Sequence, residues 1–199
     1  MKRKGRLFVI SGPSGAGKST VISRFLKERP EIHFSVSFTT REPRVGEVDG
    51  VNYNFVNKAE FERMIAADEF LEYAQYVENY YGTSLKVIRE KIEAGTDVLL
   101  DIEVQGAAKV REKCPEAVTI FLMPPSLEEL KNRLCTRNTD KEAVILKRLE
   151  QARREFKELL HYDYLVINDE VECAVKELLS IFTAEECRVE NRAYLVEGV

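Results

Sequence analysis

The segment RLFVISGPSGAGKSTVISRFL, residues 6–26, joins an apolar run to a helical pattern through a glycine-rich loop. Residues 6–11 are typical of a buried strand. The apolar residues after the loop repeat at the spacing of one helix face: Val21, Ile22, Phe25 and Leu26. Pro30 is expected to end this helix. A strand, a glycine-rich loop and a helix in this order predict a phosphate-binding unit of an α/β protein.

The loop fits the phosphate-binding pattern G-x-x-x-x-G-K-[ST] at every required position: Gly12, Pro13, Ser14, Gly15, Ala16, Gly17, Lys18 and Ser19. Glycines let backbone N–H groups converge on an anion, and the helix N-terminus behind them adds partial positive charge. We expect Lys18 to bridge the β- and γ-phosphates and Ser19 to ligate Mg²⁺, with Thr20 near the α-phosphate. The motif predicts nucleotide binding, and it leaves GTPases, ATPases and kinases of small molecules open.

The remaining apolar runs alternate with helical patterns. Residues 97–102, 117–123 and 163–168 are typical of buried strands, and residues 104–113 of a short helix. Such alternation predicts a parallel sheet with helices on both faces. Residues 34–82 lack long apolar runs, which indicates a small β-rich lobe inserted into the sheet domain. Two capping boxes predict further helix starts, at Ser126/Glu129 and at Thr139/Glu142.

Composition restricts the class of protein. A chain of 199 residues with net charge −4 and pI near 5.5 is not expected to coat nucleic acid. No apolar stretch approaches the roughly 18 residues of a membrane span. The basic and then apolar start is too short for a signal peptide, so we read it as the first core strand. The cysteines form no CxxC pair and only two histidines are present, which favours free thiols in the cytoplasm over a metal cluster.

The GTPase interpretation is weak. The chain has no D-x-x-G sequence. Its only Asn-Lys pair begins Asn57-Lys58-Ala59-Glu60, where Glu stands in place of the Asp that reads guanine, and these residues open an amphipathic helical pattern. The residues that bind the acceptor of the phosphoryl group therefore have to be sought elsewhere in the chain.

The segment FSVSFTTREPRVGEVDGVNYNFV, residues 34–56, carries two arginines in one turn. Arg41 and Arg44 flank Glu42-Pro43, and two guanidinium groups held apart by a stiff turn suit a phosphate monoester. Tyr53 and Tyr81 offer hydroxyl donors nearby. In the alternative, the turn is solvated and its arginines pair with local acids: Glu42, Glu47 or Asp49. The residues alone leave both interpretations open.

At this point the sequence resembles the guanylate kinase family. The resemblance runs in order through VISGPSGAGKST, TTREPRVGEVDGVNYNFV, EFLEYAQYVENYYGTS, LLDIEVQGA, IFLMPPSLEELKNRL, RNTDKEAVILKRL and YDYLVIND, roughly residues 6–170. At the matching positions it implies a GMP site made of eight residues: Ser37, Arg41, Arg44, Tyr53, Glu72, Tyr81, Gly82 and Thr83. Arg41, Arg44, Tyr53 and Tyr81 would hold the phosphate.

The resemblance also implies how the base is read. Glu72 would accept hydrogen bonds from guanine N1–H and the 2-amino group, whereas adenine offers neither donor, so AMP would be rejected. Ser37 and Thr83 suit the O6 and amino edges of guanine. Without the resemblance, Glu72 would be read as an exposed strand carboxylate.

Asp101 ends an apolar strand, the usual place for an acid near Mg²⁺ and its waters at the carboxyl edge of a parallel sheet. The resemblance places the segment Asp101-Ile102-Glu103 between the two nucleotides, with Asp101 on the metal-bound water or guanylate side and Glu103 facing the GMP ribose. The family often has Asp at position 103. Gly106 is expected to allow close approach at the next helix start, and Asn168 matches a residue near the ATP adenine.

A basic segment follows at residues 131–157, with nine lysines and arginines against four acids, Asp140, Glu142, Glu150 and Glu155. One interpretation is a solvated helix face with i,i+4 pairs. The resemblance supports a lid over ATP, whose arginines would be Arg133, Arg137 and Arg148. Asn138 stands where the family more often has glycine, and Asn tolerates positive φ better than most residues.

The resemblance implies one P-loop α/β domain, with a core of residues 1–33, 84–131 and 160–199, a GMP-binding lobe at 34–83 and a lid at about 132–159. It implies a Mg²⁺-dependent kinase that transfers a phosphoryl group from ATP to GMP, and to dGMP, in purine metabolism. One alternative is a non-catalytic scaffold of the same fold, which the intact Lys18, Ser19 and lid arginines disfavour. Another is a kinase for a different nucleoside monophosphate. An apolar helix face near the C-terminus would suit a homo-oligomer.

Overall fold

A computed structural model of the chain describes residues 3–76, 78–136 and 142–195. Its strands are β1 (Leu7–Ser11), β2 (His33–Phe34), β3 (Phe38–Thr39), β4 (Asn54–Phe55), β5 (Phe70–Tyr76), β6 (Asn79–Ser84), β7 (Val98–Asp101), β8 (Val118–Met123) and β9 (Tyr164–Ile167). Its helices are α1 (Lys18–Glu28), α2 (Lys58–Ala66), α3 (Leu85–Glu93), α4 (Val104–Lys113), α5 (Leu127–Thr136), α6 (Glu142–Glu155), α7 (Val171–Cys187) and α8 (Val189–Arg192). Residues 156–161 and 193–195 form 3₁₀ turns.

Five parallel strands form the main sheet, in the order β2-β7-β1-β8-β9. All five residues of β1 are buried, because the strand lies in the middle of the sheet with helices on both faces. Ile10 pairs with Asp101 and Ser11 pairs with Phe121, so the loop after β1 and the acid that ends β7 meet at the carboxyl edge of the sheet. The predicted parallel α/β fold is confirmed.

The two faces of this sheet form separate hydrophobic cores. On one face α1 and α7 pack over Phe8 and Ile10, and the Phe8 and Phe182 rings stack with centroids 3.7 Å apart. On the other face α3 and α4 cover Val9 and Leu100. Val21, Ile22 and Phe25 of α1 are buried and Leu26 packs beside them, as their spacing predicts.

A second, four-stranded sheet has the order β4-β3-β6-β5 and lies between β2 and α3 in the sequence. Its strands pair antiparallel except β3 with β4. Helix α2 packs Phe61 and Met64 against Phe70, and the Asn57 side chain caps the helix by accepting from Glu60 N at 2.8 Å. The predicted β-rich lobe is thus present with its own small core.

Helices α5 and α6 pack together through Leu130, Leu134 and Ala152. The first predicted helix start is confirmed, since Glu129 N donates to Ser126 Oγ at 3.0 Å. Thr139 of the second box, Arg137 and Asn138 lie outside the described residues.

Charged residues at the amino edge of the main sheet join the start of the chain to α7, where Arg6 Nη1 donates to Glu185 Oε2 at 3.4 Å. Asp97, 4% exposed, accepts from Arg3 Nη2 at 2.7 Å and from Arg6 N at 2.9 Å. Glu185 on α7, also 4% exposed, accepts from the Tyr164 hydroxyl at 2.6 Å, and that bond is the leading cause that raises the pKa of Tyr164 to about 12. Within the described ranges, no helix is long and apolar enough to cross a membrane.

Candidate active site

The phosphate loop connects β1 to α1, and three of its glycines have backbone angles that other residues rarely adopt. Gly12, Gly15 and Gly17 have φ of 150°, 93° and 89°. A Cβ at Gly12 would lie 1.9 Å from the Leu122 carbonyl oxygen, and one at Gly17 would lie 2.4 Å from Asn168 Nδ2. These glycines are therefore required both by backbone angle and by close neighbours.

The side chain of Asn168 is hydrogen-bonded to the backbone of this loop. It follows β9 and is 3% exposed, and its Nδ2 donates to the Ala16 carbonyl oxygen at 2.8 Å. Its Oδ1 is buried without a hydrogen-bond partner among the residues that the structure describes. The side chain thus holds the loop in place, and a contact with the ATP adenine stays a prediction.

Lys18, Ser19 and Asp101 lie at the carboxyl edge of the main sheet. Lys18 Nζ donates to the Gly12 carbonyl oxygen at 2.7 Å, so the ammonium group is folded back over the loop. Ser19 and Asp101 line one groove beside α1. Burial raises the pKa of Asp101, while the charge of Lys18 lowers it and that of Glu103 raises it. A hydroxyl, a carboxylate and an ammonium group therefore share this edge, and Thr20 is exposed beside them.

The arginine turn of the second sheet is held by a carboxylate. Glu47 Oε1 accepts from Arg41 Nη2 at 2.8 Å, and Glu47 Oε2 accepts from Arg44 N at 2.8 Å. The Arg41 guanidinium lies over the rings of Tyr53 and Phe55, at 5.4 and 5.7 Å from their centroids. The structure thus shows the local ion pair of the alternative interpretation for Arg41 with Glu47, whereas Arg44 contacts Glu47 through its backbone N–H. The Arg41 N–H group that donates to Glu47 would also suit a phosphate oxygen.

Of the other predicted GMP contacts, the structure brings the two tyrosines together. The Tyr53 and Tyr81 rings pack edge to face with centroids 5.9 Å apart, and the Arg41 guanidinium lies over the Tyr53 ring. Ser37, half-buried, precedes β3 and its carbonyl oxygen accepts from Asn54 N at 2.9 Å. Arg44 is exposed at the turn.

Glu72 is a buried carboxylate, 7% exposed, on β5. Thr83 Oγ1 donates to Glu72 Oε1 at 2.6 Å, so these two predicted residues are partners. The interpretation of Glu72 as an exposed strand carboxylate is wrong, because α4 packs against β5 and covers it. A Cβ at Gly106 would lie 3.1 Å from Glu72 Oε2, which confirms close approach at this helix start.

The pKa of Glu72 is raised, and burial is the leading cause. The hydrogen bond from Thr83 and the charges of Lys109 and Lys113 lower it, and the charge of Glu103 raises it. Glu103 is the N-cap residue of α4, and its charge raises the pKa of both Glu72 and Asp101. Gly82 neighbours this group, and a Cβ there would lie 2.9 Å from the Phe70 ring.

The lid arginines are placed in part. Arg133 on α5 donates from Nε to Glu129 Oε1 at 2.7 Å and from Nη2 to the Asp169 carbonyl oxygen at 3.4 Å. Arg148 lies on α6, half-buried. Arg137 is outside the described residues. Within residues 3–76, 78–136 and 142–195, no group of three or more His, Cys, Asp or Glu side chains is placed to hold a metal ion.

Three residues near the site were not singled out by sequence. Glu155, the last residue of α6, has its Oε2 buried without a partner in the described chain, and burial is the leading cause that raises its pKa. The charges of Lys18 and Glu103 also act on it. Lys109 and Lys113 on α4 contact β5. Only their spacing of one helix turn was visible in the sequence, and the strand they contact lies some forty residues away.

Comparison with known proteins agrees with this arrangement. The family described as guanylate kinase matches residues 4–185. The guanylate kinase of Halalkalibacterium halodurans is 55% identical over 190 residues, which cover 96% of this chain and 93% of that protein. The guanylate kinase of Clostridioides difficile is 54% identical over 187 residues, covering 94% and 91%.

A solved structure is similar across the same extent. The crystal structure of guanylate kinase from Anaplasma phagocytophilum has a TM-score of 0.76 and 34% sequence identity, and covers 94% of this chain and 89% of that one. Identity, coverage and fold agree from the first strand to α7. The chain belongs to the guanylate kinase family and is a nucleoside-monophosphate kinase.

Proposed function

We propose that this chain transfers the γ-phosphoryl group of ATP to GMP, and to dGMP, with Mg²⁺, giving ADP and GDP or dGDP. The observation that carries the choice of guanine is the buried Glu72, held by Thr83 in a lobe separate from the phosphate loop. An ionised carboxylate accepts at both oxygens, so beside the bond from Thr83 it has acceptor capacity for a base that presents two adjacent N–H donors, and AMP lacks these donors. AMP would leave a Glu72 oxygen facing the lone pair of N1, and mismatches of this kind give discrimination of about 10⁴-fold.

On the donor side, backbone N–H groups of residue 12 and of residues 14–17 would bind the phosphates of ATP, with Lys18 between the β- and γ-phosphates. Lys18 would exchange its contact with the Gly12 carbonyl oxygen for one with phosphate. Thr20 would lie near the α-phosphate and Asn168 near the adenine. The arginines proposed to stabilise the charge of the transferred group are Arg133, Arg137 and Arg148.

The groove between Ser19 and Asp101 fits Mg²⁺, which keeps several waters and takes one or two protein oxygens together with phosphate. Ser19 Oγ would ligate the ion directly and Asp101 would hold one of its waters. The ion would neutralise developing charge on the β- and γ-phosphate oxygens.

On the acceptor side, the GMP phosphate would replace Glu47 as the partner of Arg41, joined by Arg44, Tyr53 and Tyr81. Glu72, Ser37 and Thr83 would read guanine, with Gly82 beside them and with Asp101 and Glu103 toward the ribose. The lobe is proposed to comprise residues 34–83, the lid residues 132–159 and the core residues 1–33, 84–131 and 160–199.

This chemistry needs no side-chain nucleophile or general base, because the attacking oxygen of GMP is already anionic. Catalysis would come from holding two polyanions in line while cations cancel their repulsion. Closure of both lobes would exclude water and prevent simple hydrolysis of ATP.

The four cysteines are free, which supports work in the reducing cytoplasm, in purine nucleotide metabolism. A homo-oligomer stays a prediction; Val189 and Leu195 near the C-terminus are exposed and would suit one. Sedimentation of the purified chain would test it.

ADP production from Mg-ATP, with GMP, dGMP, AMP, CMP, UMP or no acceptor in parallel, tests the proposal. We expect turnover with GMP and dGMP alone. Turnover with another base would keep the kinase and reject the guanine assignment. Binding of ATP or GMP without turnover on any acceptor would reject the enzyme and favour a protein-binding module of the same fold.

A further inference from the structure

Strand β5 is an edge strand of the small sheet, and α4 of the core packs against it. The sheet order places β5 at one end, paired only with β6. An exposed edge leaves carbonyl groups without partners. Here Lys113 Nζ donates to the Phe70 carbonyl oxygen at 3.1 Å, and Lys109 Nζ donates to the Tyr73 carbonyl oxygen. The two ammonium groups thus bind β5 on either side of Glu72.

The same helix face makes room for the Glu72 side chain. Gly106, Lys109 and Lys113 follow one another at intervals of three and four residues, so they lie on one face of α4. At Gly106 the absent side chain leaves the space that Glu72 Oε2 occupies, 3.1 Å from where a Cβ would be. The strand is irregular at this point, with a register shift between Phe70 and Glu72. One helix face therefore offers a gap for the carboxylate and a cation on each side of it.

The charges of these lysines lower the pKa of Glu72 and so oppose the effect of burial, which raises it. Glu103, at the start of α4, faces the same carboxylate with like charge. Lys109 also lies over the Tyr73 ring at 5.2 Å, and Lys113 lies 3.5 Å from Asp68. Lys109 and Lys113 are cations that act on Glu72, since the charge of each lowers its pKa.

We propose that Lys109 and Lys113 are positioning residues that seat the base-reading Glu72 against the core, so that α4 sets the guanine end of the acceptor site. This inference rests on the proposed function. The lysines act through Glu72, since their ammonium groups bind strand carbonyls. They also favour its ionised form, which alone accepts two hydrogen bonds from guanine without donating one.

The test uses Lys109→Met, Lys113→Met and the double variant, which keep the apolar stems and remove the charges. Lys86→Met is the matched control, because Lys86 on α3 is 82% exposed and only pairs with Glu90 at 4.0 Å. KM and kcat are measured for GMP and for ATP from about pH 5 to about pH 9. In the double variant we expect KM for GMP to rise about tenfold. We expect kcat and KM for ATP to stay within about twofold, and the acid limb of kcat/KM for GMP to move to higher pH.

Lys109→Arg and Lys113→Arg should restore both the KM and the pH profile, because they keep the charges. An unchanged KM for GMP, or equal losses for GMP and ATP without a shift in the pH profile, would overturn the inference. If the double variant does not fold, each single variant is expected to show the same shift at smaller size, and its absence there would overturn the inference equally. Failure of the wild-type chain to phosphorylate GMP would instead reject the proposed function.

Discussion

The donor and acceptor phosphate sites are built in opposite ways. The proposed donor site is a loop of consecutive residues, fixed by glycines that have no room for a Cβ and by the buried Asn168. The acceptor site gathers side chains from separate strands and a turn, and Arg41 is paired with Glu47 at rest. We therefore expect the donor site to be formed before its ligand arrives and the acceptor phosphate to displace a carboxylate.

Lys18→Met would break the donor side most severely. Lys18 is the cation placed over the loop, and loss of one such electrostatic contact in the transition state costs about 10²–10³-fold in kcat. Steady-state kinetics with GMP and ATP would measure it, with the exposed Lys176→Met on α7 as control. A loss below about tenfold would show that the backbone loop and the arginines suffice.

Glu72→Gln tests the guanine end. An amide leaves one acceptor and adds a donor, so we expect kcat/KM for GMP to fall about 100-fold while KM for ATP stays unchanged. The control is Glu62→Gln on α2, whose carboxylate is exposed and pairs with Lys58 at 3.8 Å. An equal loss for ATP would mean that the residue only supports the lobe.

Glu72→Gln should lower kcat/KM for GMP but raise the stability of the folded chain at neutral pH. Burial raises the pKa of Glu72 in the folded chain, so between the unfolded and folded pKa values the folded state binds more protons and stability falls as pH rises. At neutral pH the folded wild-type chain holds a buried charge that Gln lacks. We expect Glu72→Gln to unfold at higher urea concentration than wild type at neutral pH, and the difference to shrink as pH is lowered. Urea titrations at several pH values would measure this, and a difference that grows toward acid would contradict it.

Asn168→Ala sharpens the comparison at the donor loop. The Ala16 carbonyl oxygen would lose its partner, which should lower the free energy of unfolding by about 1–3 kcal/mol and raise KM for ATP several-fold. Asn191→Ala is matched, because Asn191 Nδ2 donates to the Glu185 carbonyl oxygen at 2.8 Å, away from the loop. We expect a comparable loss of stability there with KM for ATP unchanged. Equal effects on KM in both variants would show that Asn168 acts only through stability.

Glu47→Gln carries the smallest expected effect. The amide oxygen can still accept from Arg44 N, so the turn should persist, but the competition for Arg41 weakens. Pairs of this kind are worth little in water, so KM for GMP should fall about two- to fivefold. A higher KM would show that Glu47 orients Arg41 for the phosphate.

The phosphate loop was readable from the sequence as a motif because its residues are consecutive, whereas the neighbours that exclude a Cβ at Gly12 and Gly17, namely Leu122 and Asn168, lie far along the chain. Four of the five strands of the main sheet were visible as well, since each is a short apolar run, whereas β2 has only two residues, His33 and Phe34, and was not predicted. The acceptor site was not readable in this way. The burial of Glu72 depends on α4, about thirty residues later, and that contact leaves no periodic pattern. Family resemblance supplied those residues, and Glu155 with its buried oxygen was counted only as one acid of a charged segment.

The lobe is one continuous segment of the chain between β2 and α3, so it could be exchanged between relatives as a single unit. Two carbonyl oxygens of its strand β5, however, accept hydrogen bonds from Lys109 and Lys113. These lysines lie on α4, outside the lobe, and would not be transferred with it. A transplanted lobe would carry its arginines and tyrosines intact and meet a foreign helix at its base-reading edge. Chimeras that exchange residues 34–83 together with residues 103–113 should therefore keep their base preference where exchanges of the lobe alone lose it.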